Sequence, residues 1–310
     1  MILTICPNPS IDCTIELDSL NVGKLNRVDN KVETYSGKAL NVAMGIARLG
    51  EKSFATGFMF DAHARLFEQV LDKEGVGHDF VYNHGSARTN YKIIDKRSML
   101  TEINDRGESV SKLKQAELID KVKQISPDYE IAVMSGSLPK GVEPSFYGKV
   151  LSAIPKNVKV IVDTEKANML SALEDREVYM VKPNLRELEE FTGKSVHSLQ
   201  DMVSAAKKYL DRGVKYVLIS LGSEGAVFTN GTDSYFCKSA SVAVNSTVGA
   251  GDSMVAATCV GIQKGANMQE ILRMAAAAGT AAVTTSGTNL FYRDKYSEIY
   301  SKIYSEKIYL

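Results

Sequence analysis

The sequence predicts an α/β fold, a mostly parallel sheet with helices on both faces. Short apolar runs alternate with amphipathic helical windows along the whole chain, the pattern of strands joined by crossover helices. The 310 residues are 44% hydrophobic and 24% charged, enough for one large core without a disulfide or metal staple. No low-complexity linker separates independent domains. Residues 1–310 are therefore expected to form a single α/β domain.

In chain order, strands are expected at Ile2–Cys6, Lys52–Met59, Ile131–Ser135, Val158–Asp163, Tyr179–Pro183, Tyr216–Ser220 and Gly225–Thr229. Helices are expected at Leu40–Leu49, Ala64–Glu74, Lys112–Ile125, Pro144–Ile154, Asn184–Thr192, Leu199–Arg212, Gly251–Lys264 and Met268–Ser286. Two stretches break this rhythm. Residues 12–35 and 90–110 alternate with period two and contain no helix, so they read as a small β-layer standing off the main sheet. Such a layer suits a lid or a dimer surface. Near the C-terminus, Tyr296, Tyr300 and Tyr304 recur every fourth residue, the stripe of a terminal helix packed on the body.

Charge and motifs exclude several classes. Lys plus Arg and Asp plus Glu both total 37, so the chain lacks the basic excess of a nucleic-acid binder. No apolar run approaches the roughly 18 residues of a membrane span, and the start MILTICPNPSID lacks the basic region of a signal peptide. Cys6, Cys13, Cys237 and Cys259 form no C-x-x-C pair, and the four histidines show no metal-ligand spacing. A reducing cytoplasm is the expected setting. No P-loop, dinucleotide-binding glycine fingerprint, protein-kinase signature or nucleophile elbow is present.

Four features carry chemistry. Gly249-Ala250-Gly251-Asp252 precedes an apolar helix, where small residues and a helix N-terminus cradle a phosphate. Asp252 in the first turn lies beside that cradle, although an N-cap would use the same residue. Lys182-Pro183-Asn184-Leu-Arg-Glu187 ends one strand and opens a helix. Asn184 and Glu187 also make a capping pair, while Glu187 suits a Mg²⁺ ion that keeps most of its waters. Ser220-Leu-Gly222-Ser223-Glu-Gly225 reads either as a hairpin turn or as a loop that nears a nucleotide. In the N-terminal half, Asp12, Gly37, Lys38, Asn41, Asn90, Glu102 and Ser137 mix acceptors and donors as sugar hydroxyls require. Arg27, Lys38 and Arg88 offer charge-assisted bonds to a substrate phosphate.

Taken together, these motifs resemble the ribokinase-like (PfkB) carbohydrate kinases, from Asn8-Pro9-x-x-Asp12 to the Ala275–Ala282 segment. The resemblance implies a three-layer α/β/α domain with a small β-sheet lid and ATP-dependent phosphorylation of an alcohol. Asp252 would be the general base and Gly249–Gly251 the anion hole. ATP would lie against Lys182, Asn184, Ser220, Gly222, Ser223, Gly225 and Gly251, with Mg²⁺ near Glu187 through water. Pairing through the lid implies a homodimer. Asn26-Arg27-Val28, Arg88-Thr89-Asn90 and Ser135-Gly136-Ser137 look like the phosphosugar branch. Fructose 1-phosphate, phosphorylated at its 6-hydroxyl, is the first expectation and tagatose 6-phosphate the second. An unphosphorylated sugar or a nucleoside, or a non-catalytic sensor on the same fold, are the alternatives.

Ser36 and Ala39 stand where this branch usually carries glycine. If either position required positive φ, a side chain there would cost about 1 kcal/mol or more. The Ala39 methyl would also crowd the sugar. Gly57-Phe-Met-Phe-Asp61-Ala-His63 likewise lacks the glycines usual after that strand.

Overall fold

The computed structural model describes residues 1–97, 99–174, 176–285 and 290–309. The chain opens with β1 (Ile2–Cys6), β2 (Ser10–Leu17), β3 (Asn30–Ser36), α1 (Lys38–Arg48), β4 (Ser53–Phe60) and α2 (Ala64–Lys73). Then follow β5 (Gly77–His78), β6 (Val81–Asn83), β7 (Arg88–Asp95), β8 (Leu100–Asn104), α3 (Lys112–Ile125), β9 (Ile131–Ser135), α4 (Ser145–Ser152), β10 (Lys159–Asp163) and α5 (Lys166–Glu174). The C-terminal part comprises β11 (Met180–Val181), α6 (Leu185–Thr192), α7 (Leu199–Leu210), β12 (Tyr216–Ser220), β13 (Ala226–Thr229), β14 (Ser234–Cys237), α8 (Ala250–Gln263), α9 (Met268–Ala282), α10 (Arg293–Tyr300) and β15 (Ser305–Lys307).

The large sheet runs in the order β15-β14-β13-β12-β11-β10-β9-β1-β4-β5, with β6 also on β4. It is parallel from β5 to β12, and β13, β14 and β15 close the edge as an antiparallel meander. The central strands alternate between two apolar layers. Ile131 and Val133 of β9 point into one layer, Ala132 and Met134 into the other. The first layer includes Val42 and Ile46 of α1 with most of α8 and α9. The second takes apolar faces of α2 through α7, such as Phe67, Leu118 and Val203. Each fully buried Ile, Leu or Val contributes roughly 1.5–3 kcal/mol, so both faces need their helices. No helix among the described residues is long and apolar enough to cross a membrane.

A separate four-stranded sheet has the order β3-β2-β7-β8, with β2 and β7 parallel and the outer pairs antiparallel. It realises the expected β-layer, each half starting two residues early at Ser10 and Arg88.

Several expectations need correction. The tyrosine stripe is only half helical. The α10 helix stops at Tyr300 so that β15 can pair with β14, and Tyr304 lies beyond it, 74% exposed. Tyr300 and Tyr304 instead both face Arg273. The expected end of the Met268 helix, Ser286, lies outside the described residues, and α9 ends at Ala282. The α5 helix and strands β5, β6, β14 and β15 fall outside the expected elements; each is short. Ser36 closes a regular strand and Ala39 is helical, so neither position carries the strain that its side chain would cause at positive φ. Between them Gly37 has φ 150, and a Cβ there would lie 2.9 Å from Cys6 Sγ. The Gly57–Phe60 segment simply continues β4, pairing with β6.

The two halves of the chain meet where α1 packs on α8. A Cβ on Gly45 would lie 2.7 Å from the Ala256 Cβ. Gly45→Ala therefore overpacks this crossing and should lower the unfolding free energy by about 1–3 kcal/mol. The check is a urea titration at unchanged m; a loss under about 0.5 kcal/mol would show that the helices have room to part.

Candidate active site

The parallel strands deliver their C-terminal ends to one edge, where β10 ends in Asp163, β11 leads to Lys182 and β12 ends in Ser220. Open α/β sheets bind ligands at this edge. Here it forms a cleft of about 940 Å³ between the large sheet, the small sheet and the start of α8.

Period two decides what the small sheet presents. Ser10 pairs with Ser36 and Arg88, Asp12 with Asn90, Asn90 with Asn104, and Lys92 with Glu102. These eight residues share one face, and all line the cleft. The Asp12 carboxylate is buried and fully engaged. Its Oδ1 accepts from Asn90 at 3.0 Å and Ser10 at 3.4 Å; its Oδ2 accepts from Ser36 at 2.8 Å and lies 3.5 Å from Lys92 Nζ. Arg88 differs. Among the described residues it has no ion pair, its Nε is buried without a hydrogen-bond partner, and burial holds its guanidinium below the usual value. A half-buried cation whose Nε is shut off from water without a partner calls for an anion.

Helix spacing assembles the centre. Lys38 and Asn41 are three apart on α1 and so share a face. Asn41 Nδ2 donates to Asp252 Oδ2 at 2.8 Å, where α8 begins. Lys38 Nζ and Lys182 Nζ each lie 3.4 Å from the buried Asp163 carboxylate. Burial pushes the Asp163 carboxyl up, but the two ammonium groups outweigh it and hold it below the usual range. Burial raises Asp252 to about 6; Lys38, Asn41 and Lys182 oppose the rise and the Asp163 charge adds to it. Lys182 also abuts the helix start, since a Cβ on Gly251 would lie 3.2 Å from its Nζ.

Gly249 caps α8 in the left-handed region and supplies no side-chain acceptor. The first-turn N–H groups of Ala250, Gly251 and Asp252 therefore lack intrahelical acceptors at the cleft wall, where the helix dipole adds positive charge. Asn184 and Glu187 form a complete capping box on α6, with both bonds at 2.9 Å. They still line the cleft. The Ser220–Gly225 turn joins β12 to β13 as a hairpin, and its Ser220, Gly222, Ser223 and Gly225 line the cleft too. Ser220 N donates to Pro183 O at 3.0 Å, which binds this turn to the Lys182 segment. Beyond it the wall turns apolar, with Ala240, Val242, Val244, Ala276 and Val283.

The cleft thus gathers Asp12, Gly37, Lys38, Asn41, Arg88, Asn90, Glu102, Lys182, Asn184, Glu187, Ser220, Gly222, Ser223, Gly225, Gly249, Ala250, Gly251 and Asp252. Arg27 is not among them. It sits on an exposed loop that Asn26 ties to its own turn through the Asn21 and Lys24 backbone. Ser137 lies outside the lining as well, its hydroxyl accepting from Asn8 at 3.4 Å. Lys38, expected with the phosphate-holding arginines, pairs with Asp163 beside Asp252 instead. Ala39 is fully buried and off the cleft surface, so its methyl crowds nothing there. Sequence reasoning missed Asp163, Lys92 and the apolar wall. The polar end of a buried apolar strand, KVIVD, could have flagged Asp163, and alternation with Arg88 and Asn90 could have flagged Lys92.

The chain is 29% identical to 1-phosphofructokinase from Vibrio cholerae, over 99% of this chain and 97% of the relative. It is 31% identical to 1-phosphofructokinase from Haemophilus influenzae, over 93% of each. Phosphofructokinase-2 from Escherichia coli, solved with substrates and products, superposes with a TM-score of 0.90 at 29% identity, covering 97% of this chain and 98% of that one. The model of the pfkB family carbohydrate kinases matches residues 8–295, a span that takes in both the small-sheet face and the Asp252 helix. With that match across nearly its whole length, the chain belongs to the pfkB family of carbohydrate kinases.

Proposed function

We propose that this ATP-dependent sugar-phosphate kinase transfers a phosphoryl group to the 6-hydroxyl of fructose 1-phosphate. One observation carries the reading. A buried carboxylate, Asp252, stands at an uncapped helix N-terminus, and the same cleft presents an unpartnered arginine from the small sheet. The 1-phosphofructokinase relatives support this acceptor over tagatose 6-phosphate.

Asp252 accepts the hydroxyl proton. The loose transition state of phosphoryl transfer needs no strong base, because the proton leaves late. The N–H groups of Ala250 and Gly251, with Lys182 beside them, meet the charge on the transferring group. The apolar wall from Ala240 to Val283 suits a nucleotide base, and the Ser220–Gly225 turn its sugar and phosphates. Asn90, Asn104 and Glu102 address sugar hydroxyls, with Asp12 orienting its neighbours, and Arg88 takes the substrate phosphate. Among the described residues no cluster of His, Cys, Asp or Glu could cage a metal. A Mg²⁺ brought by the nucleotide and reached by Glu187 through water fits that donor set, and would neutralise phosphate charge. The small sheet closes over the sugar and limits hydrolysis of ATP. Its outer face exposes Tyr91 and Ile103, at 40% and 55%, and supports pairing of two copies in a cytoplasmic homodimer.

A coupled ADP assay tests the reading. Fructose 1-phosphate should exceed tagatose 6-phosphate, fructose 6-phosphate, ribose and adenosine by at least about tenfold in kcat/KM, one full power of ten in specificity. A preference for any other acceptor would reject the substrate assignment, and no ADP with any of them would leave a sensor. Asp252→Asn should lose about 10²–10⁴ in kcat. Retention of a tenth or more removes the base role.

The free-enzyme kcat/KM should rise with pH through an acid limb near 6, as Asp252 loses its proton. The stability effect has the opposite sign. A raised carboxyl pKa means that the native state binds more protons, so its contribution declines as pH rises from about 4 to 6. At pH 8 Asp252→Asn should therefore melt no lower than wild type; a clear drop would assign the residue to the fold. Arg88→Ala should weaken phosphorylated sugars far more than unphosphorylated ones. Equal loss for both would take Arg88 out of the phosphate site.

A further inference from the structure

Two lysines and two carboxylates share the middle of the cleft, and the role of one carboxylate follows from its position. Asp163 ends β10 and is 1% exposed. Three elements converge on it: Lys38 from α1 and Lys182 after β11, each at 3.4 Å, and Ser135 Oγ of β9 at 3.5 Å. Asp163 Oδ1 has no hydrogen bond, so the Lys182 contact there is an ion pair without hydrogen-bond alignment. Asp163 lines the same cleft as Asp252 but is already paired with two cations. Its charge is spent on the two ammonium groups.

Asp252 receives a hydrogen bond from Asn41, and no lysine lies within ion-pair distance of it among the described residues. Yet Lys38 and Lys182 are close enough to affect its protonation. We propose that Asp163 is a positioning residue, an anionic clamp that holds Lys38 and Lys182 off Asp252 and aims them at the phosphoryl group in transfer. This rests on the reading of the cleft as a phosphoryl-transfer site.

The charge count explains the clamp. With both carboxylates ionised, the four groups sum to zero. Remove the charge at 163 and two ammonium groups remain with Asp252 as their nearest anion. The buried Lys182 takes the nearest available partner, and the half-exposed Lys38 is drawn to the same carboxylate. A lysine paired with Asp252 occupies the oxygen that must accept a proton, favours the carboxylate form, and is withdrawn from the nucleotide phosphates. The charged or polar groups that face Asp252 are Lys38 and Asn41 from α1, Asp163 from β10 and Lys182 after β11; Glu187 acts on Lys38 from α6.

The test compares wild type, Asp163→Asn and Asp163→Glu in kcat, KM for ATP, KM for the preferred sugar phosphate, and the acid limb of kcat/KM. Asp163→Asn keeps the shape and removes the charge. It should lose about tenfold or more in kcat and raise KM for ATP several-fold. It should move the acid limb down by about one pH unit, the effect of a new opposite charge beside a carboxyl group. KM for the sugar should stay within about twofold, since a lost factor of two is under 0.5 kcal/mol. Asp163→Glu restores the charge and should return the limb to its wild-type position. A purely structural role would reduce the active fraction and leave the limb and both KM values where they were, which would overturn the proposal. If Asp163→Asn does not fold, Asp163→Ser, which also removes the charge, takes its place: a limb lowered by about one unit supports the clamp, and an unmoved limb overturns it. Absence of kinase activity in wild type would instead defeat the phosphoryl-transfer reading itself.

Discussion

The site depends on one contact, the crossing of α1 and α8. Asn41 meets Asp252, and one turn further along both helices Gly45 meets Ala256. The two pairs have the same spacing, so the helices run in the same direction and stay in register for at least a turn. This crossing ties residues 211 apart. It carries Lys38 from the N-terminal half into the charged centre and fixes the Asp252 carboxylate against an amide donor. Small residues at the crossing let the helices approach closely enough for that 2.8 Å bond. A bulkier pair would move Asp252 away from Asn41 before any residue in the cleft had changed.

Charge follows from the same arrangement. A net charge of zero is compatible with two opposed fields, cationic at the small sheet and anionic at the helix that carries Asp252. The structure instead interleaves the charges. Lys38 and Lys182 flank Asp163 beside Asp252, while Arg88 has no ion pair among the described residues and shares the small-sheet face with Lys92 against Asp12. Of these four cations Arg88 alone has no ion pair among the described residues, and the other three are already committed to buried carboxylates. Selection among cations comes from which of them the protein has left without a partner, and their number says little.

How much of this was legible in the sequence depends on whether a feature is local. The parallel core was legible because buried strands leave unbroken apolar runs, and parallel topology always gathers their C-terminal ends at one edge. The Gly249–Asp252 turn, the Asn184–Glu187 cap and the Ser220–Gly225 hairpin were legible because each is a local device. Asp163 was not, since a single acidic residue after a strand acquires meaning only from Lys38, 125 residues earlier. Lys92 was hidden because alternation shows a strand without telling which of its faces is covered. Arg27 illustrates the converse, standing off the cleft within this chain. It lies close in sequence to the site strands, but Asn26 folds its loop back on itself.

The glycine-to-side-chain departures show how local rules pass into specificity. Neither Ser36 nor Ala39 needs an unusual backbone, because the one residue that does, Gly37, stands between them. Ala39 turns into the core. Ser36 turns the other way and donates to Asp12 Oδ2, adding a bond to a carboxylate already held by Asn90, Ser10 and Lys92. Four protein groups on two oxygens make Asp12 a fixed anchor for the small-sheet face. Asn90 and Lys92 are thereby held in place by contacts within the protein. The amide groups of this face are thus held in fixed positions, with Arg88 beside them on the same strand and without an ion pair among the described residues.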